Sequence, residues 1–153
     1  MKFWTWALEA YGKPGAAQAC LDLQDQHGQS VPYLLWGAWA AWEGRTLDRP
    51  ALEAGAEVAA RWEAAAVGPL RAARRAIKAP VPGVDDVARE GLRVEVKALE
   101  LQAERLLIET LEAMSPAAGP AALPLKAALV AAATAWPVEA SEAALDRLVQ
   151  TLS

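Results

Sequence analysis

The sequence predicts an all-α protein: a single domain over residues 1–153, folded as a bundle of about six to eight helices around a long central helix at roughly 85–114. Composition is the first reason. Alanine supplies 37 of the 153 residues and leucine 20, whereas isoleucine occurs twice and valine eleven times. Alanine and leucine lose little entropy in a helix, while strands favour β-branched and aromatic residues. Helical spacing of the apolar positions is the second reason, and regular glycine and proline punctuation the third. The length suffices to bury a sizeable core. A disulfide scaffold, a collagen-like chain, a polar disordered tail and an all-β sandwich are excluded.

The elements follow in order. Phe3 to about Tyr11 forms a first helix, ended by Gly12-Lys13-Pro14-Gly15. Ala16 to His27 forms a second, with Gly28 placed for a left-handed cap. Ser30 can cap a third helix, with Pro32 in its first turn, running to Glu43. A fourth starts near Asp48 and runs through Trp62. Gly68-Pro69 should break or kink it, and Leu70 to Lys78 forms a further helical stretch. Ala79-Pro80-Val81-Pro82-Gly83 is a linker. The longest element begins at Asp85 or Asp86, with an acidic first turn that suits the helix dipole, and ends near Met114. Leu92, Val96, Leu99, Ala103 and Leu106 form one apolar stripe on it, and Val94, Leu101 and Ile108 a second. Such a wide surface calls for neighbours on more than one side. Two Ala-rich helices follow, at roughly 121–135 and 139–151.

Charge and targeting signals narrow the setting. Met1 to Trp6 does not open a signal peptide, because charge returns at Glu9 before an apolar core of useful length. The longest uncharged apolar run, about Ala127 to Val138, is too short to span a bilayer, so no membrane insertion is expected. A single Cys20 suits a reducing cytoplasm. Net charge is −4. Residues 1–80 carry 9 basic and 8 acidic groups, and residues 81–153 carry 6 and 11. General nucleic-acid binding is therefore not expected, since it needs a sustained basic surface.

Three features could carry function. In Ala19 to Gly28, helical geometry puts Cys20, Gln24 and His27 on one face, with Asp22 and Asp25 on the next. These could form a polar site in which Asp22 or Asp25 orients His27; equally, His27 could simply meet the free carbonyls of its helix end. A metal would need two carboxylates beside one His and one Cys, which are about 10 Å apart along the axis, and no metal site is expected. Cys20 reads as a small buried apolar residue. Trp36, Trp39 and Trp42 recur every third residue in a helix with no charge between Ser30 and Glu43. They could wall a ligand pocket, or fill gaps between Ala-rich helices. Arg71, Arg74, Arg75 and Lys78 make one cationic face, with Ala72, Ala73, Ala76 and Ile77 turned inward. That face could grip an anionic partner, or pair with Glu100, Glu104, Glu109 and Glu112.

The words Phe3-Trp4-x-Trp6-Ala7-Leu8-Glu9-x-Tyr11, Ala19-Cys20-Leu21-x-Leu23-Gln24-Asp25-x-His27-Gly28-x-x-Val31, Leu34-Leu35-Trp36 and Pro69-Leu70-Arg71-x-x-Arg74-Arg75 resemble a family of short proteobacterial proteins of unknown function. The family-like part covers about residues 1–114, and the Ala-rich helices at 120–153 stand outside it. Where the family carries a polar residue such as Asn, this chain has Pro32. The resemblance implies a bacterial cytoplasmic protein and directs attention to residues 19–36. It brings no activity, cofactor or partner.

Two functional readings follow. One is a non-enzymatic helical adaptor or regulatory protein, binding a protein partner or a second copy through the Arg71–Lys78 face or exposed tryptophans. The other is a small ligand-binding protein or enzyme, with Asp22, Gln24, Asp25 and His27 lining a pocket walled by Trp36 and Trp39. The first is preferred, because no nucleophile–base pair is legible. No catalytic residue and no cofactor is assigned.

Overall fold

The computed structural model describes residues 1–120 and 122–153. Among these residues the chain forms eight α-helices and no strand. They are α1 Phe3–Tyr11, α2 Ala16–His27, α3 Val31–Trp42, α4 Arg49–Trp62, α5 Gly68–Ala76, α6 Asp86–Ala113, α7 Leu125–Ala135 and α8 Glu142–Leu152. A π-helical turn at Glu63–Val67 joins α4 to α5.

α3 is the helix the others surround. Every residue from Pro32 to Ala40 is buried, as its lack of charge requires. α7 packs along it, and α1, α2, α4 and α6 also touch it. The approach of α7 is close because small side chains meet there: a Cβ on Gly37 would lie 3.1 Å from the Ala132 Cβ. Trp36 and Trp39 are fully buried, and each indole N–H has a partner. Trp36 Nε1 donates to the Ser115 hydroxyl oxygen at 2.7 Å, and Trp39 Nε1 to the Met1 carbonyl at 3.1 Å. Phe3 stacks on Trp39 with ring centroids 5.1 Å apart. Steps of three rotate by about 60°, so the third ring of the set emerges on the far side, and Trp42 is exposed.

Local chemistry sets most boundaries where the sequence places them. α1, α2, α4 and α6 have the expected limits to within a residue. Gly28 closes α2 at φ 59°, a left-handed conformation that favours glycine. Asp48 and Asp85 cap α4 and α6, accepting from Ala51 N at 2.9 Å and Ala88 N at 2.8 Å.

Three expectations need correction. Ser30 occupies the backbone N-cap of α3, but its hydroxyl donates 3.2 Å to Glu63 Oε1 instead of capping. Gly68-Pro69 does not break the chain's helical course. The π turn absorbs it: Gly68 N bonds to Glu63 O, five residues back, and Pro69 falls in the first turn of α5, where it needs no N–H partner. The last helix begins later than expected, at Glu142, because Ser141 caps it by accepting from Ala144 N at 3.1 Å. The expected start of the preceding helix, Ala121, lies outside the described residues, and α7 itself begins at Leu125.

α6 has two different halves. From Glu100 onward it buries Ala103, Leu107, Ile108 and Leu111 in the core. Before Glu100 only Arg89 is buried, and much of the apolar surface there faces solvent. The neighbours expected on more than one side are present for the second half alone.

Candidate functional site

The side chains that carry charge into the interior come from α5, α6 and the π turn. Arg71 Nε donates to Glu100 Oε1 at 3.2 Å, and its Nη2 to Glu104 Oε1 at 3.5 Å. Its Nη1 lies 3.6 Å from Glu63 Oε2. Arg74 Nε bonds the other oxygen of Glu100. Glu100 is 6% exposed, and a carboxylate so deep requires paired charge. This overturns the expected orientation of the stripe. Arg71 and Arg74 turn toward α6, while Ala72, Ala73 and Ala76 face solvent. Arg75 is exposed and reaches across to Asp25 of α2 at 2.9 Å. Lys78 is exposed. Of the four acidic partners considered for the stripe, Glu100 and Glu104 meet it. Glu109 pairs with Arg105 at 2.8 Å instead, and Glu112 accepts from Phe3 N at 3.1 Å.

The cluster sets three carboxylates, Glu63, Glu100 and Glu104, against two guanidinium groups. Burial dominates its acid–base behaviour. Burial pushes Glu104 up to about 7; Arg71 opposes the rise and Glu100 and Glu63 add to it. Burial also raises Glu63, against Arg71 and the Ser30 hydroxyl. Tyr11 is raised, mainly by burial and then by Cys20 and Glu104. The hydrogen bond from Arg75 leads in lowering Asp25.

Beside Glu104 lies a cavity of about 330 Å³ between α1, α2, α3 and α6. Its walls are mostly apolar, Trp4, Leu8, Leu21, Leu35 and Leu101 among them, with Tyr11, Gln24 and Glu104 as the polar side chains. A more open depression of about 460 Å³ shares Tyr11, Leu21, Gln24, Leu101 and Glu104 and adds Arg71, Arg74 and Lys97.

The residues singled out from sequence scatter around this site. Gln24 lines the cavity and donates its Nε2 to Asp25 at 3.1 Å. Asp22 accepts from Gln18 one turn earlier at 2.8 Å. His27 sits half-buried in the last turn of α2, and its carbonyl accepts from Gln29 Nε2 at 3.2 Å. It lines neither the cavity nor the depression. Trp36 and Trp39 are not cavity walls, because both are packed in the core under α1, α4 and α7. Cys20 is buried, and burial pushes its thiol up to about 12. Sequence reasoning missed Tyr11, Glu63 and Trp4. Glu63 had one signal, its opposition to Arg71, which becomes readable only once α5 and the π turn lie against α6, and Tyr11 and Trp4 are brought to the cavity by the packing of α1.

A second feature is apolar and exposed. On α6, Val87, Leu92, Val94, Leu99, Leu101 and Leu106 are between 50% and 82% exposed. Exposed apolar side chains are ordinary when scattered, but these fall in two rows on different sides of the helix, Leu92, Leu99 and Leu106 on one and Val87, Val94 and Leu101 on the other.

Fold and site together define a small all-α protein with a buried central helix and an ion cluster bordering an apolar cavity. The chain belongs to the family described as Protein of unknown function (DUF2390), whose model matches residues 2–111. No curated protein and no solved structure gives a match. The matched span contains every residue of the ion cluster and the cavity and ends within α6, although α7 and α8 complete the core with Leu129, Ala132 and Leu148.

Proposed function

We propose that the protein is a non-enzymatic helical adaptor that docks a helix of a partner protein along α6. One observation carries this reading: Leu92, Leu99 and Leu106, seven residues apart, are each about half exposed. A seven-residue spacing keeps side chains nearly in line along a helix, which is the arrangement a second helix packs against. Glu95 and the neutral Gln102 run beside this row at the same spacing, as does Glu109, which Arg105 already holds at 2.8 Å. The complementary partner is therefore an amphipathic helix whose apolar row is flanked by Lys or Arg. A second copy laid antiparallel on the same row would bring acidic flank against acidic flank, which disfavours self-association.

The competing enzymatic reading has less support. His27, expected to line its pocket, lies away from the cavity, its Trp walls are in the core, and burial keeps the Cys20 thiol far from a reactive thiolate. Among the described residues no helix is long and apolar enough to cross a membrane. The bacterial cytoplasm is the proposed setting, supported by the family resemblance and the buried Cys20.

The test is recovery of tagged wild-type protein and of a Leu92→Glu/Leu99→Glu variant from the native cytoplasm, with melting curves to confirm folding. The expected result is a protein that accompanies the wild type, rebinds it when purified, and is lost with the variant. Recovery that is identical for both overturns the proposal.

A further inference from the structure

We propose that the cavity between α1, α2, α3 and α6 is a binding site for an amphipathic amine, its apolar body among Leu8, Leu21, Leu35 and Leu101 and its ammonium group on Glu104. The inference is separate from the docking row on α6, since the half-open cavity uses Leu101 and Glu104, which lie on a different side of that helix from Leu92, Leu99 and Leu106.

Three observations converge on this ligand. The cavity is about 330 Å³ and mostly apolar, the size and character of a small-molecule site. Its polar lining presents acceptors. Gln24 uses its amide nitrogen on Asp25 at 3.1 Å, which leaves its carbonyl oxygen available. Glu104 engages Arg71 through Oε1 alone. Tyr11 supplies a hydroxyl oxygen. An ammonium group carries three donors and no acceptor, which matches such a lining. The third observation is the charge balance: three carboxylates face two guanidinium groups, so the cluster is one positive charge short whenever all three are ionised, and Glu104 is the member of the three that borders the cavity.

The groups that bear on Glu104 come from every side. Tyr11 faces it from α1, Gln24 and Asp25 lie on α2, Glu63 on the π turn, Arg71 and Arg74 on α5, and Glu100 and Lys97 on α6. α3 contributes only Val31, Pro32 and Leu35, all apolar. Burial holds Glu104 partly protonated near neutrality. An ammonium ligand, charged throughout like a lysine side chain, binds the ionised form, so affinity rises with pH by about tenfold between pH 6 and pH 8.

The experiment titrates the purified protein with n-octylamine, octan-1-ol and sodium octanoate, by calorimetry and by the fluorescence of Trp4. The expected result is octylamine bound at least about tenfold more tightly than the other two. Glu104→Gln should erase that preference, and Leu101→Trp, which fills the cavity from an exposed position, should abolish binding of all three. If Glu104→Gln fails to fold, Leu101→Trp and the pH series decide. Equal binding of amine and alcohol, tighter binding of octanoate, a preference that survives Glu104→Gln, or no octylamine binding at millimolar concentration each overturns the proposal.

Discussion

The indole of Trp36 fills the space beside Gly55: a Cβ at position 55 would lie 2.8 Å from Trp36 Cη2 and nearer still to Cζ3. The glycine is in mid-helix, where alanine is ordinarily favoured by about 1 kcal/mol. Here the ring is locked in the core, so Gly55→Ala should lower stability, with an overpacking cost of about 1–3 kcal/mol exceeding the propensity gain. Gly91, in the exposed half of α6 with nothing within 4 Å of its Cβ position, is the control. Gly91→Ala should raise the urea midpoint while Gly55→Ala lowers it.

Trp39 and Trp42 share a helix and differ in fate. Trp39 is fully buried, stacks on Phe3 and lies under the Arg45 guanidinium at 5.0 Å. Trp39→Ala should cost about 3–5 kcal/mol. Trp42 is exposed, and Trp42→Ala should cost within about 0.5 kcal/mol. Equal losses in chemical denaturation would show that the ring set does not divide between core and surface.

The arginines of α5 should divide in the same way. Arg71 holds buried Glu100 together with Arg74, and its removal leaves carboxylates short of charge. Arg71→Ala should cost about 3–5 kcal/mol. The Arg75–Asp25 pair is half exposed on both sides, and Arg75→Ala should cost at most about 1 kcal/mol. Reversing Arg74 and Arg75 together would therefore report on folding before it reported on any anionic partner. A double reversal with an unchanged melting temperature would restore the free cationic face.

Stability should also fall as pH rises through neutrality. Glu104 in the fold, at about 7, lies above an unfolded glutamate near ~4.3, so the folded state holds the proton more tightly. Its contribution is fully present below the unfolded value and is lost as pH rises through the folded one. Glu63 is raised too and acts in the same direction. Asp25 is lowered and acts only in acid. The urea midpoint should decline between pH 5 and pH 8, and Glu104→Gln should flatten much of that decline. Parallel profiles for the two proteins would contradict the assignment.

Much of the fold could be read from local chemistry. The limits of α1 and α2, the Asp48 and Asp85 caps and the burial of α3 follow from capping residues, glycine positions and the absence of charge. What periodicity could not supply was direction. The stripe of Arg71, Arg74, Arg75 and Lys78 is equally regular whether it faces water or a partner helix. Only the packing of α5 on α6, with Glu100 buried between them, turns Arg71 and Arg74 inward. The apolar stripes of α6 imply burial that the fold grants only from Glu100 onward. Of the candidate site, Gln24 and the pairing of Arg71 and Arg74 with Glu100 and Glu104 were legible; Tyr11 and Glu63 come from two further elements, and no local pattern joins them to the rest.

The central claim is that α6 offers a docking face, and photo-crosslinking inside cells tests it most directly. A benzophenone side chain would be placed at Gln102, beside the leucine row, and at Arg147 of α8 as a control. The account predicts one discrete adduct from position 102, mapping to a basic amphipathic helix of a different protein and absent from position 147. Adducts of this chain with itself, adducts equal at both positions, or none at position 102 would contradict it.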